Sequence, residues 1–372
     1  MVAERPASAQ AMAGLLAEGR RARPVGAGTK LSWGNVGPPP EVELSTARLD
    51  AVVEHNHGDL TAVLQAGVPL RRAQEVFARA GQRLSLDPPD GDGHSTIGGI
   101  VATGDSGPLR HRYGAVRDLI LGVQVALSDG TVARAGSKVI KNVAGYDLAK
   151  LMCGALGTLG VVCEVIVRLH PVPESSVTAV GHGTDPRALA QAARSVARRP
   201  LELEALDLRW DGSDVGGSLL ARAAGRAAAE TADAAIALMS QVGLATELVE
   251  DGDGLWAAQR ERQRAVDGGA LVRVSGLPTD LERLLGSSSS AVARPGLGLA
   301  WVRLPDDPDA LDALRAALAP APCVVLDAPE SLRAGVDPWG VAEGPELALA
   351  RSLKARFDPA GVCNPGRFVG RL

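Results

Sequence analysis

The chain has 372 residues and a formal net charge of -4, long enough for two or three domains with apolar cores of their own. Charges of both signs are spread along it and aromatic residues make up only 3%, which argues against a nucleic-acid surface built from basic stripes and stacking platforms. The four cysteines, Cys153, Cys163, Cys323 and Cys363, form no C-x-x-C pair and stand mostly in apolar runs, so they read as reduced thiols rather than cluster ligands.

The N-terminus lacks the apolar stretch and cleavage site of a secretory signal, and nowhere do about 18 uncharged apolar residues stand together. The expectation is a cytoplasmic, soluble chain without direct membrane insertion. Residues 8–19 suit a helix capped by Ser8, and Arg23 to Gly26 a short strand. That strand runs into Pro24-Val25-Gly26-Ala27-Gly28-Thr29-Lys30. Gly26-x-Gly28 is half of a dinucleotide fingerprint, with Leu31 at the third glycine position. A Rossmann loop opens into a helix that receives the pyrophosphate, but here the chain continues Ser32-Trp33-Gly34-Asn35-Val36-Gly37-Pro38-Pro39-Pro40, which no helix can run through. A nucleoside-triphosphate loop is excluded too, because the Gly-Lys-Ser/Thr ending is missing. The functional reading left is a nest, in which glycines let successive backbone N–H groups converge on phosphate oxygens. Read alone, the segment is more often a simple strand-to-turn connection, since short motifs often misfire.

Glu41 to Ser45 is expected as a strand, Leu49 to His55 as a helical turn, Leu60 to Ala66 as a strand, and Leu70 to Gly81 as an amphipathic helix with its terminal glycine. Together they read as one α/β subdomain. A second begins after Pro88-Pro89-Asp90-Gly91-Asp92-Gly93 and carries a second glycine segment, Ser95-Thr96-Ile97-Gly98-Gly99. Two such segments on separate β-rich units point to one extended, phosphate-bearing cofactor between them. A hairpin follows, Leu121 to Leu127 and Thr131 to Ala135 around Ser128-Asp129-Gly130. Asp147 is read as the cap of a short helix ending at Gly154, and Val161 to Leu169 as a long strand.

Pro171-Val172-Pro173 marks a boundary, giving expected domains over 1–174, 175–340 and 341–372. The second holds two copies of strand, helix, strand, strand, helix, from Val177 to Val242 and from Leu271 to Asp327, the first without a clear last strand. Both resemble ferredoxin-like units with helices on one face of an antiparallel sheet. The tail is a helix, Pro345 to Arg356, and an ordered Asp358-Pro359-x-Gly361-x-x-Asn364-Pro365-Gly366 turn that returns to the first domain. The fold class expected is α+β.

Both glycine segments occur in order with Arg110-x-Arg112-Tyr113-Gly114-x-x-Arg117-Asp118, Asn142-Val143-Ala144-Gly145-Tyr146-Asp147-Leu148 and Gly157-Thr158-Leu159-Gly160-Val161-Val162. With these motifs the chain resembles the FAD-binding oxidoreductases of the vanillyl-alcohol oxidase, or PCMH, type, and within them the small E-type FAD-binding subunits of glycolate oxidase. The resemblance lies in motifs over 1–174 and in length and pattern over 175–340. It implies that Pro24, Val25, Gly26, Ala27, Gly28 and Thr29, with Lys30 beside them, hold the FAD pyrophosphate through backbone amides. It further implies that Pro88, Thr96, Ile97, Gly98, Gly99, Ala102 and the Gly104-Asp105-Ser106-Gly107 loop line flavin and ribityl. Gly160 and Val161 would meet the adenine side, and Asn364 of the terminal turn would join the site. Covalent members place a linking histidine where Thr29 and Lys30 stand here, so the resemblance implies non-covalent FAD. It also implies a larger FAD-binding D-type partner and an iron–sulfur F-type partner. Alternatives kept open are a self-sufficient 2-hydroxy acid oxidoreductase and a structural subunit whose flavin site is vestigial.

Oxidising a 2-hydroxy acid needs a base for the hydroxyl proton and a cation for the carboxylate. Beyond residue 174 there is one histidine, His182, too few for a histidine metal site there. His55-x-His57 reads as a solvated turn and His170 as structural. His94, His111 and Tyr113, beside the presumed flavin segments, are the candidate catalytic side chains, each with a packing role as its alternative. Arg110, Arg112, Arg117, Lys138 and Lys141 form a basic group, read either as stabilising negative charge on the flavin or substrate or as partners of acids such as Asp105 and Asp118.

Overall fold

A computed structural model describes residues 2–89, 93–138, 147–250, 252–266 and 268–372. The chain divides into two units, one of Met1–Ser106, Gly114–Val172 and Val341–Leu372, the other of Gly107–Tyr113 and Pro173–Gly340. The segment 107–113, which the sequence reading kept in the first domain, belongs with the second unit.

In the first unit, strands β1 (Val2–Glu4), β2 (Ala22–Val25) and β3 (Val42–Ser45) make a parallel sheet in the order β1-β3-β2. Helix α1 (Ala9–Ala17) joins β1 to β2; the Ser8 hydroxyl accepts its Ala11 N–H at 3.1 Å, and Met12, Ala13 and Leu16 are buried with Val42 and Leu44. Such caps satisfy one of the N–H groups that a helix start leaves open.

The expected helical turn at 49–55 is instead strand β4 (Val52–Asn56), paired with β5 (Thr61–Gln65). The chain continues through helix α2 (Leu70–Ala78), β6 (Gln82–Arg83), helix α3 (Ile97–Thr103), β7 (Ile120–Ala126), β8 (Val132–Gly136), β9 (Val161–Arg168) and β10 (His170–Pro171). A five-stranded antiparallel sheet has the order β4-β5-β9-β7-β8. Strand β5 therefore pairs with β9, with β4 on its other side, rather than with β2 and β3, which corrects the expected division into two consecutive α/β subdomains. Hydrophobic period reports which face is buried, not which distant strand is the neighbour. Asp147 also differs from expectation: it makes no side-chain cap, its carboxylate lying 3.1 Å from Lys150. The Asn142 to Tyr146 motif and Lys141 lie outside the described residues.

The second unit is an eight-stranded antiparallel sheet built from β11 (Ser176–Gly183), β12 (Leu203–Trp210), β13 (Gly217–Ala224), β14 (Ala245–Val249), β15 (Ala270–Ser275), β16 (Ala291–Arg294), β17 (Leu299–Leu304) and β18 (Cys323–Asp327). Its order is β14-β11-β13-β12-β16-β17-β15-β18. Numbered within each half, the strands run 4-1-3-2 and then 2-3-1-4, two copies of one βαββαβ pattern meeting at β12 and β16. The last strand missing from the first copy in the sequence is β14, whose alternation is mostly exposed. One face carries the helices Pro186–Arg198, Ala228–Ser240, Leu281–Gly286 and Pro308–Leu318, which bury Leu189, Met239, Leu285 and Leu314 against Leu206, Leu208 and Ala293. On the other face Asp207 and Arg294 pair at 3.3 Å, both side chains fully buried, with Gln263 accepting from Arg294 at 2.9 Å and the Trp301 ring 4.3 Å from its guanidinium. Burial pushes the Asp207 carboxyl up, against the pull of Arg294. Among the described residues no helix is long and apolar enough to cross a membrane.

The tail completes the first unit. Ala22 N–H donates to Val362 C=O and Asn364 N–H to Ala22 C=O, both at 2.8 Å, so residues 362–364 lie alongside β2 in parallel. The turn is held by Lys354, whose ammonium reaches Asp358 at 2.6 Å, Thr158 C=O at 2.7 Å and Cys363 C=O at 2.9 Å. Asp358 also accepts the Cys363 N–H at 2.9 Å. Burial raises the Asp358 carboxyl, but the ammonium and these N–H groups outweigh it and hold it below the usual carboxylate range. A depressed carboxyl stabilises the fold above its unfolded-state value and gives that stability up as pH falls through its folded-state value. Lys354→Met is therefore expected to cost about 3 kcal/mol at pH 7, the cost of stranding a buried partner. The deficit should shrink on acidification as Asp358 takes a proton, and urea unfolding at neutral and acid pH measures both.

Candidate functional site

Strand β2 delivers the first glycine segment, and α3 opens on the second. Gly26 stands so close to Thr96 that a Cβ there would run into the Thr96 hydroxyl. Thr96 is held in place because its Oγ1 caps α3, accepting the Gly99 N–H at 3.3 Å. Gly28 has a φ of +76°, a left-handed conformation that suits glycine. Among the described residues, the N–H groups of Gly26, Ala27 and Gly28 donate to no protein acceptor. A third wall is the turn 154–160: Leu156 N–H donates to Ala102 C=O at 2.7 Å, and Gly157 would place a Cβ 3.1 Å from Pro24. The Asn364 amide donates to Leu156 C=O at 2.7 Å, tying that turn to the tail.

These walls line two open pockets, about 570 and 470 Å³ with the space continuous with solvent counted, that share Pro24, Gly26, Gly99 and Ala102 and so form one elongated groove. The larger is the more polar, with Thr29, Lys30, Trp33, Ser95, Thr103, Asn364 and Arg367; the other is lined by Val25, Gly98, Met152, Gly160, Val161 and Val162. Bare glycine faces, three N–H groups without a protein acceptor and an apolar far end fit an extended cofactor with a phosphate bridge in its middle.

Of the residues expected at the cofactor, Pro24, Val25, Gly26, Ala27, Gly28, Thr29, Lys30, Thr96, Gly98, Gly99, Ala102, Gly160, Val161 and Asn364 line the groove. Ile97 does not: it is a core side chain whose N–H donates to Val68 C=O at 2.9 Å. Pro88, Gly104 and Asp105 also fall outside the lining; Gly104 ends α3 in a left-handed cap with a φ of +65°. Gly107 lies in the second unit. Leu156, Thr103 and Arg367 line the groove without having been singled out in the sequence. Arg367 follows the Asn364-Pro365-Gly366 turn, which was the available signal.

None of the three candidate catalytic side chains is among the residues lining these pockets. His94 is exposed and lines neither cavity. His111 and Tyr113 belong to the second unit. Burial, then the nearby Arg294 and Arg112, lowers the His111 imidazole from its ordinary value, which favours the neutral ring. Tyr113 donates to Glu204 at 3.1 Å, and Glu204 in turn faces Arg222 at 3.3 Å. Within the expected basic group Lys138 pairs with Glu54 and Arg112 lies 3.8 Å from Glu202, while Asp105 pairs with Lys30 instead of an arginine. His55 shares a hydrogen bond with Gln82 at 2.9 Å and stacks edge-on with His57 and Phe77. No group of metal-binding side chains occurs among the described residues. Burial pushes the Cys153 thiol up to about 11 and Cys163 to about 12, so neither is a ready nucleophile near neutral pH.

Residues 4–136 match the family model described as FAD binding domain (FAD_binding_4). The chain is 28% identical to the glycolate oxidase subunit GlcE of Escherichia coli (strain K12) over 334 residues, 86% of this chain and 85% of that one. It is 34% identical over 189 residues to the glycolate oxidase subunit GlcD of Bacillus subtilis (strain 168), covering 50% of this chain and 40% of the relative. With the mitochondrial D-lactate dehydrogenase [cytochrome] of Arabidopsis thaliana it shares 34% identity over 157 residues, 42% of this chain and 27% of that one. It thus spans less than half the length of these last two. A solved structure of alkyldihydroxyacetonephosphate synthase shares the fold with a TM-score of 0.71 at 15% identity, covering 98% of this chain and 75% of that chain. Residues 4–136 are thus an FAD-binding domain of the PCMH type, the chain is similar to glycolate oxidase subunits and D-lactate dehydrogenases, and its cofactor is FAD.

Proposed function

We propose that this chain is the E-type subunit of a glycolate or similar 2-hydroxy acid oxidoreductase, located in the cytoplasm and holding non-covalent FAD for electron transfer or assembly. The observation that carries the reading is the groove: its walls offer backbone amides and small side chains, and among the described residues no histidine, cysteine or tyrosine lines it. Such a lining supports a site that binds and orients rather than one that moves protons or bonds covalently to its ligand. Likeness to GlcE over most of both chains points the same way. The larger D-type flavoprotein and the iron–sulfur F-type subunit are the proposed partners.

FAD supplies the reversible uptake of two electrons. The free N–H groups of Gly26, Ala27 and Gly28 would take the pyrophosphate, which carries negative charge that converging N–H dipoles stabilise. The apolar end at Met152, Val161 and Val162 suits the adenine, and the polar end at Lys30, Ser95 and Thr103 suits ribityl and flavin. Trp33, buried at that end, shields it from water. The doubled βαββαβ pattern of the second unit reads as a pair of ferredoxin-like modules, with Tyr113, held by Glu204, serving structure rather than catalysis.

Visible spectra of the purified chain before and after anaerobic glycolate test the subunit role. A yellow protein that glycolate alone leaves unbleached, and that bleaches once D-type and F-type partners are added, is the expected result. Bleaching without partners would assign turnover to this chain instead, and a colourless protein would leave a vestigial site. Gly26→Ala should weaken FAD binding by roughly tenfold or more, about 1.4 kcal/mol or greater, because its methyl must displace Thr96. Adding Thr96→Ala, which removes the obstructing hydroxyl at the cost of a helix cap of about 1 kcal/mol, should recover part of the affinity; flavin-fluorescence titration reads both.

A further inference from the structure

Lys30, the last residue of the first glycine segment, and Asp105, in the loop after α3, form an ion pair at 3.2 Å with both side chains only 4% exposed. A buried pair is a poor source of stability, since apolar groups of similar volume commonly do as well. What it supplies is a fixed spacing and direction. The Lys30 ammonium also lies 3.4 Å from Ser95 Oγ and 3.5 Å from Pro89 C=O, so each of its three donors has an oxygen to face. One Asp105 oxygen accepts the Ser106 N–H at 2.9 Å; the one facing Lys30 has no hydrogen-bond partner among the described residues, which leaves the ion pair as its only compensation. A lighter link runs in parallel, Thr29 Oγ1 to Ser95 Oγ at 3.3 Å. The Lys30 and Thr29 contacts run from the first glycine segment to Ser95 of the second and to Pro89 and Asp105 on either side of it, and Lys30 itself lines the groove.

We propose that Lys30 and Asp105 are a positioning pair for the cofactor, setting the distance between the two glycine segments before the ligand enters. This rests on FAD as the ligand of the groove. Ordering two loops during association subtracts from affinity, and a cross-link made in advance avoids that cost. Lys30 therefore acts on the spacing of the backbone amides rather than as a counter-charge to the ligand, because Asp105 already neutralises it.

The test measures the FAD dissociation constant of the full-length apo-protein by flavin-fluorescence quenching, at a temperature where circular dichroism shows every variant folded. Lys30→Met strands the Asp105 charge, so the double variant Lys30→Met/Asp105→Leu, with no unpaired charge, is measured beside it. Lys30→Arg is the conservative variant, and Phe77→Leu, buried in α2 and outside the groove, is the control for general destabilisation. Roughly tenfold weaker binding in both Lys30→Met proteins, substantial recovery in Lys30→Arg and unchanged binding in Phe77→Leu is the expected pattern. Wild-type affinity in the double variant, or an equal loss in Phe77→Leu, overturns the positioning role while leaving FAD binding intact. Wild-type protein that quenches no flavin fluorescence overturns the FAD reading and this inference with it.

Discussion

The approach of Gly26 to the Thr96 side chain is the constraint on which the site depends. The two residues are far apart in sequence, one at the end of β2 and the other at the start of α3, and there is no room between them for a methyl group. That contact brings two stretches of bare backbone face to face, and the groove is the space left along their edges. It also explains why Thr96 is not simply one more small residue. Its hydroxyl caps α3 while its bulk sets how close β2 may come, so helix start and groove width are fixed by the same atoms.

A loop that leaves its N–H groups open to a ligand has given up its own hydrogen bonds, so its rigidity must come from its neighbours. Here β2 is held on both sides, by β3 on one and by residues 362–364 on the other. The tail then reaches the remaining wall through Asn364 and Leu156, and grips the segment after the loop through Arg367 and Asn35, whose main chains meet at 2.9 Å. Gly34, with a φ of +82°, makes that last approach possible, since a Cβ would collide with the Arg367 carbonyl. The Lys354 and Asp358 clasp is thus mechanically upstream of the cofactor site, although neither residue lines it.

Legibility in the sequence followed the range of the physics. The cap at Ser8, the Ser128-Asp129-Gly130 hairpin and the helix from Leu70 are local, and the chain shows each where its residues predict it. The exclusion of a Rossmann loop was local too, since Gly34 to Pro40 cannot be helical. What failed was non-local or depended on exposure. Strand β4 has a weak, half-exposed pattern, and only pairing with β5 makes it a strand. Strand β14 is an edge strand with little apolar content, so periodicity had nothing to report. Ile97 looked like part of a glycine segment, but helix geometry turns it into the core one position before Gly98. The pairing of Lys30 with Asp105 is a fact of three-dimensional neighbourhood that spacing along the chain does not contain.

A backbone-built site and a side-chain-built one leave different traces. Phosphate recognition by amides demands glycine, and glycine at a crowded position is legible because nothing else fits. Proton transfer demands a titratable group at one point in space, and any of several residue types from any part of the chain can supply it. Of the candidate catalytic side chains Tyr113 is engaged by Glu204, and of the other histidines His55 is engaged by Gln82 and His182 by Ser218 and Glu247 at 2.9 and 3.1 Å. Among the described residues the groove is rich in close backbone approach and poor in acid–base groups, a lining suited to holding a cofactor through its phosphates.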